Sequence, residues 1–221
     1  MRADLVARAV ALCADGRALL GLAGCPGAGK TTVAEALVVA AAEVLGADAV
    51  AHVPMDGFHL ADRQLDRLGL RDRKGAPETF DVDGYLALLR RLQDPTEERT
   101  IYAPVFERDL EQPLAGAVAV APGVQLVVTE GNYLLLDRPG WRDLRSVLTE
   151  TWFVDVAAEE RVRRLVARHE LFGKPRDAAV AWVATVDEPN AALIEATRER
   201  ADLLVPSSVL ETIGNPPPAR P

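Results

Sequence analysis

Residues Gly24-Cys25-Pro26-Gly27-Ala28-Gly29-Lys30-Thr31 satisfy every fixed position of the spacing GxxxxGK[ST], and they lie between segments of different pattern. Leu19-Leu20-Gly21-Leu22-Ala23 is an unbroken apolar run that predicts a buried strand, while Thr32-Val33-Ala34-Glu35-Ala36-Leu37-Val38 opens a helix that should end near Gly46. A glycine-rich turn between such elements lets backbone N–H groups converge on an anion at the helix N-terminus, where aligned peptide dipoles favour negative charge. Gly24, Gly27, Ala28, Gly29 and Thr32 would form the cradle, Lys30 would reach the outer phosphates, and the Thr31 hydroxyl would ligate Mg²⁺. The chain is therefore read as a binder of a nucleoside triphosphate.

Further strand candidates at Ala49 to Met55, Gln125 to Thr129, Thr151 to Val156 and Asp202 to Val205 alternate with helical patterns, which predicts an α/β fold with a parallel sheet. Its 221 residues, 49% of them hydrophobic, suit one domain over 1–206. Ligands of such sheets bind beyond the carboxyl ends of the strands. Gly57 to Asp81 is polar and predicts a loop or small helical flap, Arg99 to Gly123 predicts a hairpin, and the Pro-rich tail 207–221 predicts an extended or disordered segment.

A net charge of −8 offers no footprint for a nucleic acid. Cys13 and Cys25 make no disulfide framework, and His52, His59 and His169 fall in no metal spacing, so a reducing cytoplasm is expected. No run is long and apolar enough to span a bilayer, and the interleaved charges of the N-terminus do not read as a signal peptide. Self-association is left open.

Two carboxylates follow strand candidates. Asp56, before the turn-permitting Gly57, could take a proton from an attacking hydroxyl, or could cap the next turn. Glu130 ends the most apolar strand and is read as holding a Mg²⁺-shell water or a substrate hydroxyl. Arg161, Arg164 and Arg168 share one helical face that could close over the triphosphate. Glu159 and Glu160 offer i, i+4 partners to Arg163 and Arg164, which singles out Arg161 and Arg168, with Lys174 and Arg176 behind them. Cys25 is either a thiol activated by the helix N-terminus or a small residue that fits. His59 and Tyr102 are read as either substrate contacts or packed residues. Basic residues from Arg63 to Lys74 interleave with Asp62, Asp66 and Asp72, a self-neutralised pattern.

With these residues in view, the chain resembles the phosphoribulokinase and uridine kinase family of P-loop kinases. Within it the chain is similar to a bacterial branch labelled nucleoside/nucleotide kinase-like, some of whose members are called fructose-transport kinases. The resemblance rests on the phosphate loop, Met55-Asp56-Gly57-Phe58-His59-Leu60, Pro77-Glu78-Thr79-Phe80-Asp81, Tyr102-Ala103-Pro104-Val105-Phe106-Glu107-Arg108, Glu130-Gly131-Asn132-Tyr133-Leu134-Leu135, Arg161 through Gly173, and Ala201-Asp202. It implies a P-loop three-layer sandwich with a helical lid near 157–177, an acceptor flap near 57–81 and a substrate-side hairpin. It also implies transfer of the ATP γ-phosphoryl group, with Mg²⁺, to a small-molecule hydroxyl. Asp56 matches the family's catalytic aspartate, Glu130 its acidic residue after the central strand, and Arg161 and Arg168 its lid arginines. Asp81 and Arg108 match the acceptor pocket. Gly57-Phe58-His59 stands where uridine kinases have serine, phenylalanine and tyrosine, and Tyr102-Ala103 where they have a tyrosine–aspartate pair, so the acceptor is open among nucleoside-, pantothenate- and sugar-like molecules. A nucleotide-dependent switch and a nucleoside monophosphate kinase are the competing readings.

Overall fold

The apolar runs do form a parallel sheet. In the computed structural model, which describes residues 2–206 and Val209, the chain runs α1 (Arg2–Ala11), β1 (Ala18–Ala23), α2 (Lys30–Leu45), β2 (Val50–His52), α3 (Asp62–Leu68) and α4 (Val82–Gln93). It continues through β3 (Ile101–Glu107), β4 (Gln112–Val120), β5 (Leu126–Gly131), β6 (Glu150–Asp155), α5 (Ala158–Leu171), α6 (Arg176–Trp182), α7 (Glu188–Glu195) and β7 (Leu203–Pro206). The tail expected from Ser207 onward lies, Val209 apart, outside the described residues. None of the described helices is long and apolar enough to cross a membrane.

Five strands stand in the order β2-β5-β1-β6-β7, all parallel. Both faces are covered, which is why these strands read as apolar runs rather than alternating ones. Leu20 and Leu22 of β1, Val128 of β5 and Trp152 of β6 pack with Val33, Ala34 and Leu37 of α2. Leu19, Val127 and Phe153, one residue out of phase, point to the other face and pack with Tyr85 and Leu89 of α4 and Ile194 of α7. Helices on both faces of a parallel sheet give the three layers expected.

Strand order fixes the site. Leu22 is level with Glu130 and Ala23 with Gly131, so the turn leaving β1 emerges beside the end of β5. On the far side of β5, β2 is shorter than the sequence suggests. Val53 still donates to the Val128 carbonyl at 2.9 Å, but Pro54 has no N–H to continue the ladder, and Met55–Phe58 turn as a 3₁₀ helix. Asp56 is thereby carried on a turn just beyond the sheet.

The antiparallel pair β3–β4 stands apart from this sheet and packs on the Asp56 turn. A Cβ on Gly57 would lie 2.6 Å from the Pro104 carbonyl carbon and 3.0 Å from the Val105 nitrogen, backbone against backbone. Gly57→Ala is therefore expected to cost about 1–3 kcal/mol by overpacking. In urea it should lower the unfolding midpoint with an unchanged slope. An unaltered midpoint would mean that hairpin and turn separate freely.

Candidate active site

The loop after β1 owes its shape to glycines at φ 152° (Gly24), 79° (Gly27) and 90° (Gly29). At Gly24 a Cβ would also meet the Val154 carbonyl at 2.9 Å. Lys30 opens α2 and is buried; its Nζ donates to the Asn132 Oδ1 at 2.7 Å and to the Cys25 carbonyl at 3.1 Å. Burial lowers its pKa, against the opposing pull of Glu130 and Asp56. Thr31 Oγ1 donates to Glu130 Oε1 at 3.2 Å. Glu130 is only 4% exposed, and burial, followed by the neighbouring charge of Asp56, pushes its carboxyl up to about 7.

The Asp56 carboxylate accepts no hydrogen bond among the described residues, so it does not act as a cap; its nearest cation is Arg108, at 4.0 Å. These groups line an open cleft of about 440 Å³. Facing the phosphate loop and the two carboxylates are His59, Lys74 and Phe106 on one wall and Arg168, Phe172, Lys174 and Trp182 on another. Arg168 counts as exposed because the cleft is open, yet the walls are close enough that desolvation, and then the like charge of Arg108, lower its pKa.

The structure thus brings Gly27, Lys30, Thr31, Asp56, His59, Arg108, Glu130 and Arg168 together. Gly24 and Ala28, both buried, and Gly29 belong to the loop without lining the cleft, and Thr32 is exposed outside that lining. Three expected residues stand elsewhere. Arg161 is buried under the loop, with its Cγ against Gly27, and pairs with Glu188 of α7 at 2.6 Å. Asp81 caps α4, accepting from the Gly84 N–H at 2.9 Å. Tyr102 is 63% exposed on β3. The shared helical face of Arg161, Arg164 and Arg168 is therefore divided in use. Arg164 reaches Glu160 at 2.7 Å, and Arg163 takes the same carboxylate at i+3 instead of Glu159 at i+4. Lys174 lies 4.5 Å from the Trp182 ring, while Arg176 turns outward to Glu170.

Sequence reasoning assigned no role to Asn132, Trp182 or the pair His169–Asp187, joined at 2.8 Å. Asn132 sits two residues beyond Glu130 at the same strand end, a signal available in the sequence. The other pair was not legible, because a π-helical turn at Val183–Asp187 between α6 and α7 turns Asp187 toward the cleft.

A hydroxyl and two carboxylates are hard oxygen donors of the type Mg²⁺ takes. A buried carboxylate held up by a second one is also a group whose ionisation a divalent cation would favour, so Thr31 and Glu130 fit such an ion, with Asp56 beside them. Cys25 has a different character. Its thiol is 5% exposed, with Sγ 3.5 Å from the Ala191 carbonyl, and burial followed by Glu195 pushes its pKa up to about 11. Nucleophilicity resides in the thiolate, so the native protein at pH 7.5 is expected to leave Cys25 unalkylated by iodoacetamide, while denaturant exposes it. Rapid native labelling at Cys25, read by peptide mass, would contradict the buried thiol.

The sequence model of the Phosphoribulokinase / Uridine kinase family matches residues 19–213. A Schizosaccharomyces pombe protein named "Putative uridine kinase" is 32% identical over 203 residues, covering 89% of this chain and 86% of the relative. "Uncharacterized protein YggC" of Escherichia coli is 34% identical over 189 residues, 86% of this chain and 77% of the relative. Among solved structures, a "putative fructose transport system kinase" from Silicibacter sp. TM1040 superposes with a TM-score of 0.83 at 40% identity, covering 93% of this chain and 99% of its own. YFH7 of Saccharomyces cerevisiae shares the fold at a TM-score of 0.81 and 18% identity, covering 93% and 98%. Phosphate loop, carboxylate pair and parallel sheet agree with a family match over most of the length, and the chain belongs to the phosphoribulokinase / uridine kinase family of P-loop kinases.

Proposed function

We propose that this kinase transfers the γ-phosphoryl group of ATP to a hydroxyl of a small metabolite. The observation that carries the reading is the Asp56 carboxylate, without a hydrogen-bond partner among the described residues, in the cleft that also holds the phosphate-loop lysine. Lys30 would leave Asn132 for the β- and γ-phosphates, and the loop N–H groups would hold the chain of phosphates. Thr31 and Glu130 would hold Mg²⁺, which when bound neutralises charge on the phosphates. Asp56 would orient the acceptor hydroxyl and take its proton, and Arg168 would face the transferring group. Arg161 would serve the same end indirectly, by holding the loop on α5 and α7. Such catalysis is mostly positioning and charge stabilisation.

Of the cations that could bind an acceptor phosphate, Arg71 and Lys74 are paired with Asp62 and Arg73 with Glu78. Arg108 is the fourth such cation and lines the cleft 4.0 Å from Asp56, so the three pairs support an acceptor selected by its hydroxyls, with Arg108 the group that a nucleoside monophosphate would still meet. The absence of disulfide use by two cysteines supports work in the cytoplasm.

The test is ADP release from Mg·ATP across nucleosides, nucleoside monophosphates, pantothenate and simple sugars, with mass detection of the product. One acceptor gaining a phosphate mass is the expected result. Tight ATP binding with only slow, acceptor-independent hydrolysis throughout would overturn the reading in favour of a nucleotide-dependent switch. If α5 and the segment after it act as a lid, protease cuts between Ala157 and Asp177 should slow when nucleotide analogue and acceptor are both bound. Equal cutting with and without them would remove the lid from the scheme.

A further inference from the structure

Asn132 stands just beyond β5, and its side chain lines the cleft together with Asp56 and Glu130. Its amide meets the buried ammonium of Lys30 at 2.7 Å. An ammonium only donates, so the atom facing it is Oδ1, and the Nδ2 group with its two N–H donors is turned away. No hydrogen bond within the described residues engages Nδ2. The count of donors on Lys30 says what nucleotide would do to this pair. Of its three N–H groups, one goes to the Cys25 carbonyl at 3.1 Å and one to Asn132. A lysine that bridges the β- and γ-phosphates needs two of the three, so one protein partner has to be given up. The Cys25 carbonyl is part of a loop backbone set by glycines, whereas Oδ1 sits on a side chain that can turn, so Asn132 is the partner released.

We propose that Asn132 couples the two substrates: when the phosphates take Lys30, the Asn132 amide passes to a hydroxyl of the acceptor other than the one addressed by Asp56. The inference rests on the kinase reading above and adds an order to it, because Mg·ATP completes part of the acceptor's site and so binds first. A released amide that is shielded from water and left unpaired is destabilising, which gives the acceptor hydroxyl its advantage. One hydroxyl answers either Oδ1 or Nδ2, and a pair of adjacent hydroxyls answers both, one donating and one accepting. By linkage the acceptor then tightens nucleotide by the same factor as nucleotide tightens the acceptor. One hydrogen bond gained sets that factor at roughly fivefold to tenfold.

Two arms test this on the full chain. The first is calorimetric titration with Mg²⁺ and a non-hydrolysable ATP analogue. Asn132→Leu keeps a similar volume and removes both polar ends, and Asn132→Ala is run beside it in case leucine fails to pack. Either variant should bind the analogue as tightly as native protein or up to about tenfold more tightly, because Lys30 no longer has a side-chain partner to give up. Weaker binding of the analogue by the folded variants would make Asn132 a phosphate contact and overturn the proposal.

The second arm follows the side-chain amide resonances of Asn132 in ¹⁵N-asparagine-labelled protein, assigned by their loss in Asn132→Ala. With Mg²⁺ and the analogue bound, at least one of D-ribose, D-fructose, pantothenate or uridine should move them. The same probe should bind native protein roughly fivefold to tenfold more weakly without the analogue, and Asn132→Ala should lose that ratio when both are titrated by calorimetry. Resonances that move with none of the four, or a ratio unchanged in the variant, overturn the proposal. Neither arm needs turnover. Both arms positive with no phosphorylated product would count against the kinase reading alone, and normal turnover with an unchanged ratio would count against Asn132 alone.

Discussion

Asp56→Asn is expected to cut acceptor phosphorylation by roughly 10²- to 10⁴-fold, the usual contribution of a positioned general base, while ATP affinity stays within about threefold of native. The substitution preserves shape and removes only the ability to take a proton and the negative charge. Its side effects favour nucleotide binding if anything. Asp56 is one of the two causes that hold Glu130 up near 7, so its removal lets Glu130 ionise more readily at neutral pH. The Asp56 carboxylate accepts no hydrogen bond among the described residues, so the fold loses little, and Arg108 at 4.0 Å is half exposed and solvated without it. Single-turnover kinetics with saturating Mg·ATP separate the outcomes. Unchanged turnover would dismiss Asp56 as the base; a fall in ATP affinity as large as the fall in turnover would make it a nucleotide or metal residue instead.

How much of this was legible in the sequence depended on whether a residue's role was local. The phosphate loop, the strand before it and the helix ending at Gly46 are set by neighbours in the chain, and the sequence places them within a residue or two. The five strands were legible for the same reason, except that Pro54 ends β2 early. Asp56 and Glu130 could be picked because strand ends in a parallel sheet converge on one edge. Roles set by packing across the fold were not legible. Periodicity placed Arg161 and Arg168 on one face of α5, but only the approach of α7 shows that Glu188 claims the first and leaves the second to the cleft. Asp81 looked like an acceptor residue by resemblance, and the local competition for its carboxylate, an N-cap bond to Gly84, prevailed. Lys74 was read as part of a neutralised surface. It is indeed paired with Asp62, yet α3 and the turns after it fold that pair into the wall of the cleft.

Lys30→Met should behave in the opposite way to Asp56→Asn, losing nucleotide first. A buried ammonium whose pKa is pulled down by desolvation is held at a cost to the fold, and methionine fills a similar volume without a charge. The protein without nucleotide should therefore melt no lower than native, and the Asn132 side chain and the Cys25 carbonyl are the groups left short of a partner. With Mg·ATP the order reverses. The phosphates lose their buried cation, and Glu130 loses the attraction that opposes its upward shift, so more of it is protonated at neutral pH and less able to hold a metal ion. A loss of roughly 100-fold in nucleotide affinity, about 2.7 kcal/mol, is the expected order for a charged hydrogen-bonding group and its linked site. Melting curves with and without Mg·ATP then read both halves together. Native protein should gain stability with ligand as RT ln(1 + [L]/Kd) requires, and the variant should gain almost none at the same concentration. A ligand-induced rise equal to that of native protein would mean that Lys30 does not touch the phosphates, and the assignment of the loop as the nucleotide site would fall with it.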